Sequence, residues 1–314
     1  MPGTVSPPPE GTDTRTSPQG MVARVSELLH PARTLAVGPD PVLLTPDAAG
    51  WGYAALRVIA LAPGERRVVT LEGFEAAVLP LSGSCRVEVG SHAFELHGRA
   101  DVFSRVSDFV YVPHGTEAVL TSHDGGEFAF PTARAERRLE PAYVPARAVA
   151  VEIRGGGAAT RQVNNFMSAD AFEAERLIAV EVLTPDGNWS SFPPHKHDER
   201  TDREVPLEEI YYFRIRGVGG FGMHRTYTAD GDIDVTVTVR DGDVFLIPRG
   251  YHGPTVAPPG HTMYYLNVMA GPAERAWRVC TDPTHEWLWE LFADLGPDPR
   301  CPLTTADGPR ALPA

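Results

Sequence analysis

The chain has 314 residues, 42% of them apolar and 22% charged, and a formal net charge of -13. That length accommodates two domains, and the composition is ordinary for a folded soluble protein. The acidic balance argues against a nucleic-acid groove, and no apolar run approaches a membrane span or a signal core. Three widely spaced cysteines, Cys85, Cys280 and Cys301, argue against a disulfide framework and for a reducing, cytoplasmic setting.

In chain order, residues 1–20 are rich in Pro, Thr, Ser and Gly and read as a disordered tail. From Val42 to Val144 short strands alternate with turns. Tyr53 to Leu61 ends at Pro63-Gly64, Ala76 to Leu81 ends at Ser82-Gly83-Ser84, and Cys85 to Val89 ends at Gly90. Ala93 to Leu96 follows, and Val110 to Val112 runs into Pro113-His114-Gly115. From Val149 the pattern restarts, with expected strands at 176–183, 221–227, 235–239, 244–247 and 263–269. Asp230-Gly231-Asp232 and Asp241-Gly242-Asp243 mark turns between them. Pro283 to Leu295 is expected as a short helix packing its aromatic residues against a barrel or a partner subunit. Residues 296–314 read as a Pro-rich tail lying loosely on the surface.

The stretch from Pro194 to Pro254 carries the chemistry. His195 and His197 are two apart, so on a strand their imidazoles share a face and can grip one metal ion. Glu208 and Glu209 open the apolar strand Ile210 to Phe213; Glu209, which directly abuts it, is the expected ligand of the two. His252 follows the strand Val244 to Ile247 and the turn Pro248-Arg249-Gly250. Three nitrogens and one oxygen suit one divalent metal, with Zn or Mn expected and Fe or Ni as alternatives.

This spacing resembles that of a cupin. A first motif reads Gly187…His195-x-His197…Glu209…Gly217, and a second reads Gly242…Pro248-Arg249-Gly250-Tyr251-His252. Two departures stand out: a longer insert between His197 and Glu209, and a His252 one residue closer to its Gly. The two halves also resemble each other, since Asp108 to Gly115 and Asp243 to Gly250 each send an apolar strand into a Pro-x-Gly turn. The resemblance implies an all-β bicupin of two tandem barrels. Residues 21–148 form an N-terminal barrel and 149–295 a C-terminal metal-binding one. The first half lacks a His-x-His, and His92 and His97, five apart, face opposite ways on a strand, so that barrel is expected to be a metal-free scaffold.

Five further runs, taken together, are more specific. His195 to Asp198, Leu207 to Arg214 and Gly220 to Tyr227 resemble the 5-deoxy-glucuronate isomerase family of myo-inositol catabolism, as do Asp241 to Pro254 and Tyr264 to Pro272. The resemblance is dense over the second half and thin over the first. It implies conversion of 5-deoxy-D-glucuronate to 2-deoxy-5-keto-D-gluconate. The 5-keto-4-deoxyuronate isomerase of pectin degradation is similar and is the competing substrate assignment; a cupin dioxygenase and a non-catalytic sugar-binding cupin are the other classes.

An aldose–ketose isomerase must move hydrogen between C2 and C1, and a Lewis acid holding both oxygens eases formation of an enediolate. A base must carry the proton, and Lys196, Glu208, His224 and Tyr251 are the polar groups adjacent to the ligands. The substrate carboxylate calls for an Arg, with Arg225 and Arg249 expected to bind it. The partner is thus a small deoxyuronate, in a chain that is also compatible with a homo-oligomer.

Overall fold

A computed structural model describes residues 25–310, so the expected tail over residues 1–20 lies outside the described residues. Two antiparallel β assemblies follow one another, as expected. The first is a nine-stranded sheet that includes Ala54–Leu61, Phe74–Val89, His92–Arg99, Phe109–Val112, Glu117–Thr121 and Gly126–Arg134. It curls around Ile59, Val87, Val110, Leu120, Phe128 and Phe130, all buried. The turn expected at Ser82-Gly83-Ser84 is instead a bulge inside one long strand. Gly83 takes a positive φ there, and a Cβ would lie 2.3 Å from the Gly125 carbonyl oxygen, so only glycine lets the two strands pass.

The second assembly packs a seven-stranded sheet against a six-stranded one. Glu208–Ile215, Met263–Ala270, Ile178–Thr184 and Arg161–Met167 belong to the former; Phe221–Tyr227, Tyr251–Val256 and His195–Lys196 belong to the latter. Asp234–Arg240, on the outside, alternates strictly, with Val235, Val237 and Val239 buried between exposed neighbours. Met263–Ala270 is buried at every position because it is covered on both faces. Its odd residues, Met263 and Tyr265, face the interior of their own barrel, and its even ones, Tyr264, Leu266, Val268 and Ala270, face the first barrel. The same parity divides Tyr211 and Phe213 from Ile210 and Tyr212. The even face joins Leu56, Leu79, Phe109 and Tyr111 of the first half in a single apolar cluster.

The junction is also polar in a reciprocal way. Glu208 accepts from the backbone N–H groups of Gly52, Tyr53 and Ala54 at 2.7, 2.8 and 2.8 Å. Glu75 accepts from those of Glu175, Arg176 and Leu177 at 3.0, 2.6 and 2.7 Å. Each carboxylate caps the entry to a strand of the other barrel. A buried Arg99–Glu181 ion pair, joined by Tyr264 and Asn164, ties the same two halves together.

The halves are less separable than the expected boundaries at 21–148 and 149–295 imply. Leu29–His30 pairs with Val244 and Phe245 of the second barrel, and Asp243 accepts from the Ala32 N–H. The end of the chain is docked rather than loose through residue 310. Arg300 binds Asp298, Asp186 and Asn188, Thr304 exchanges bonds with Gln162, and the Val106 N–H donates to Thr305. The expected helix is shorter, a 3-10 turn at Pro283–His285 and then Leu288–Leu295. It buries Leu288 and Phe292 while Trp287 and Trp289 stay exposed. Among the described residues, no helix is long and apolar enough to cross a membrane.

Candidate metal centre

Strand pairing assembles the donor set. His195 lies opposite His252 in the six-stranded sheet, and Glu209 enters from the seven-stranded sheet on the odd, inward parity. His197, Glu209 and His252 are buried, with ligand atoms within 4.8 Å of one another. His197 Nε2 lies 2.9 Å, and His252 Nε2 3.0 Å, from Glu209 Oε2. The His195 ring stands 4.4 Å from that of His252 and 6.3 Å from that of His197.

The outer nitrogens explain the orientation. Nδ1 of His197 faces the Leu207 carbonyl at 3.0 Å, Nδ1 of His252 the Gly250 carbonyl at 3.3 Å, and Nδ1 of His195 the Pro193 carbonyl at 3.5 Å. A backbone acceptor on each Nδ1 fixes the tautomer and leaves the Nε2 lone pair pointing inward. His252 Nε2 and His197 Nε2 converge on the same Glu209 oxygen, so three buried candidate ligand atoms meet at one point, as atoms that share a metal would. These residues therefore fit a divalent cation. Burial works against charge on Glu209, yet His252 and His197 hold it well below the usual carboxylate range. Burial, then His252 and His197, push His195 well below its ordinary value, which favours its neutral form.

Trp277 closes one side, 6.2 Å from His195 and 6.0 Å from His197. A narrow cavity reaches the set between Arg161, Asn267, Tyr211, Tyr265 and Ser191. Past Val163, Val180 and Trp277 it continues into an open cleft of about 410 Å³. Ser191 adopts a left-handed φ of 46° and sets its hydroxyl 3.0 Å from that of Tyr211 and 3.1 Å from that of Tyr265.

The expected bases are not brought to this cavity. Glu208 sits on the even parity and is spent on the 52–54 backbone, which also leaves Glu209 as the inward carboxylate. Lys196, between the two histidines, binds Asp198 at 2.7 Å and Glu204 at 2.6 Å; burial opposes its charge, but these partners raise its pKa. Tyr251 alternates away from His252 and stacks on Tyr227. His224 does face inward, but Thr255 and Thr226 take its nitrogens at 2.8 and 3.2 Å, and burial brings it down to about 3. Arg225 and Arg249 lie at the surface, paired with Asp234 and with Asp230 and Asp232. They are not cavity residues. Arg161, Asn267, Tyr211, Tyr265 and Ser191 escaped sequence reasoning, although Tyr211 stands two residues after Glu209 and therefore on its face.

The profile of the KduI/IolB family matches residues 29–288. The chain belongs to the KduI/IolB family. The 5-deoxy-glucuronate isomerase of Geobacillus kaustophilus is 39% identical over 85% of this chain and 96% of its own. That of Halalkalibacterium halodurans is 37% identical over 85% of this chain and 100% of its own. Among solved structures, an IolB-like protein of Salmonella typhimurium is 34% identical, with a TM-score of 0.79 over 83% of this chain and 98% of that one. The oxalate decarboxylase of Lactobacillus farciminis, 13% identical, shares the bicupin fold with a TM-score of 0.60 over 84% and 91% of the two chains.

Within this KduI/IolB chain the register relates the halves. Glu209 pairs with Ile247 just before Pro248, and Ala76 pairs with Val112 just before Pro113. The first barrel thus carries Ala76 where the second carries Glu209, and Glu75 where the second carries Glu208.

Proposed function

We infer that this chain is a metal-dependent aldose–ketose isomerase that converts 5-deoxy-D-glucuronate to 2-deoxy-5-keto-D-gluconate. The observation that carries this reading is the buried cluster of His197, Glu209 and His252, with the His195 ring beside it, at the head of a polar cavity, in a family whose curated relatives bear that activity by name. Bound there, a divalent ion, Zn or Mn first and Fe or Ni as alternatives, supplies a Lewis acid for the C1 carbonyl and C2 hydroxyl oxygens.

The remaining work falls to the chain. Trp277 and the valines exclude water from the donor set. Burial pushes the Tyr211 hydroxyl well above its ordinary value, so it remains a proton donor toward a developing oxyanion. The Tyr211–Ser191–Tyr265 hydroxyls are what the protein presents for moving a proton between C2 and C1. The first barrel is a scaffold, a reading supported by Ala76 in the ligand's register place and by its apolar filling. Three free cysteines accord with a cytoplasmic enzyme.

The test is metal analysis of the purified protein followed by an NMR assay on 5-deoxy-D-glucuronate, with 5-keto-4-deoxyuronate as the competing substrate and oxygen consumption recorded in parallel. Ketose formation from the first substrate without oxygen uptake is expected. Oxygen consumption coupled to substrate loss would replace the isomerase with a dioxygenase.

A further inference from the structure

We propose that Arg161 and Asn267 form the anchor for the substrate's carboxylate, making them the residues that select an acid over a neutral sugar. This rests on the isomerase reading above and adds to it the group that fixes the far end of the chain.

Arg161 lies at the start of Arg161–Met167 and is 5% exposed. Its Nη1 donates to the carbonyls of Ala159 at 3.2 Å and Phe192 at 3.1 Å. Among the described residues it makes no other hydrogen bond and no ion pair. A buried guanidinium without a carboxylate is costly, and such a group is retained where an anion completes it. Burial, with Arg154 beside it, brings Arg161 down to about 10, so it is still a cation at neutral pH. The second donor is Asn267, whose buried Nδ2 lies beside the Tyr211 hydroxyl and makes no well-aligned hydrogen bond. Asn267 lies opposite Tyr211 in the sheet, and both it and Arg161 line the cavity that holds Glu209 and His195.

Two buried donor groups, neither paired with a carboxylate, therefore share a narrow space with the candidate metal ligands. An acyclic six-carbon uronate has that pattern: oxygens for the metal on C1 and C2 and a carboxylate at C6. Arg offers the planar fork that a carboxylate takes in bidentate fashion, with the Asn267 amide as a third donor. Arg154 is less suited, because Glu152 already holds it through two bonds. The competing role for Arg161 is positional. Phe192 leads through two prolines to His195, so the guanidinium could serve only to seat that histidine.

The experiment compares wild type, Arg161→Met, Arg161→Lys and Asn267→Leu, each metal-loaded and checked for metal content and melting. Calorimetry reads binding of L-gulonate, an acyclic six-carbon acid with hydroxyls at its far end, against its neutral amide. Kinetics read KM and kcat on 5-deoxy-D-glucuronate. Wild type should prefer acid over amide by roughly 30-fold, as expected for charge-assisted hydrogen bonds. Arg161→Met should abolish the preference and raise KM by about 100-fold with metal content intact; Arg161→Lys and Asn267→Leu should each weaken the preference by about 5- to 10-fold. If Arg161→Met does not fold, the other two variants decide. A wild type that binds acid and amide alike, or variants that keep the preference and lose metal instead, overturn the anchor. Acid-selective binding by wild type that the variants lose, with no turnover of any deoxyuronate, retains the anchor and refutes the isomerase reading.

Discussion

Replacing Glu208 with Gln removes a negative charge from a carboxylate that accepts three backbone N–H bonds of 2.7 to 2.8 Å. A hydrogen bond to a charged acceptor contributes about 1.5–3 kcal/mol, and the three share two oxygens, so they do not add in full. Gln keeps one acceptor oxygen but turns an NH₂ toward the remaining donors. The expected loss is about 3 kcal/mol, which in a chain of this size lowers the melting temperature by roughly 5 °C. A catalytic base, by contrast, would cost about 100-fold or more in turnover. The assay is therefore paired: thermal melting of the metal-loaded protein, and turnover per metal-bound chain on 5-deoxy-D-glucuronate. A lowered melt with turnover within about 3-fold is expected. An unchanged melt, or a normal melt with turnover down 100-fold, would refute the assignment of Glu208 to the junction between barrels.

Other outcomes follow from the same geometry. His252→Ala should weaken metal binding by at least ~100-fold, since even an outer partner of a ligand is worth 10- to 100-fold, and full metal content by mass spectrometry would remove His252 from the donor set. One metal per chain is expected; a second, lost on replacing His92, His97 or His114, would make the first barrel more than a scaffold. In heavy water the product ketose should carry deuterium at C1, and its absence together with unimpaired turnover in Tyr211→Phe and Tyr265→Phe would retire proton transfer through those hydroxyls. Arg300 is the main cause holding the Asp298 carboxyl down to about 2, below its usual 3.8. The depressed value means stability present above pH 4 and lost as pH falls toward 2. Asp298→Asn should therefore cost about 2 kcal/mol at pH 7, with the gap to wild type closing across that acid window in denaturant melts.

The candidate donor cluster was legible because its signal is local. His195 and His197 share a face by a separation of two, Glu209 abuts its strand, and a Pro-x-Gly turn delivers His252. The same alternation, applied to the neighbours, sends Lys196, Glu208 and Tyr251 away from the cavity, so closeness in sequence was not closeness to the candidate ligands. Arg161 comes from a strand that carries no motif, and Asn267, though inside the run 264–272, reaches the neighbourhood of Glu209 only through sheet register. The pairing of Leu29 with Phe245 and the docking of Thr304 on Gln162 span more than a hundred residues, and no local pattern encodes them. The apolar run over 263–270 announced a strand; only the second barrel wall on its even side explains why every residue is covered.

The crossed glutamates have the form of a two-fold axis. Glu75 and Glu208 occupy matching register positions, and each reaches the same kind of strand entry on the opposite side. In a closed pair of identical subunits such a contact is isologous, one residue type serving both halves of the interface at once. Writing the pair into one chain removes that constraint of identity. One half can then carry Ala76 where the other carries Glu209 while both keep the glutamate that faces the neighbour. A tandem chain of this kind lets its two halves diverge in what they enclose without giving up the symmetric contact that joins them.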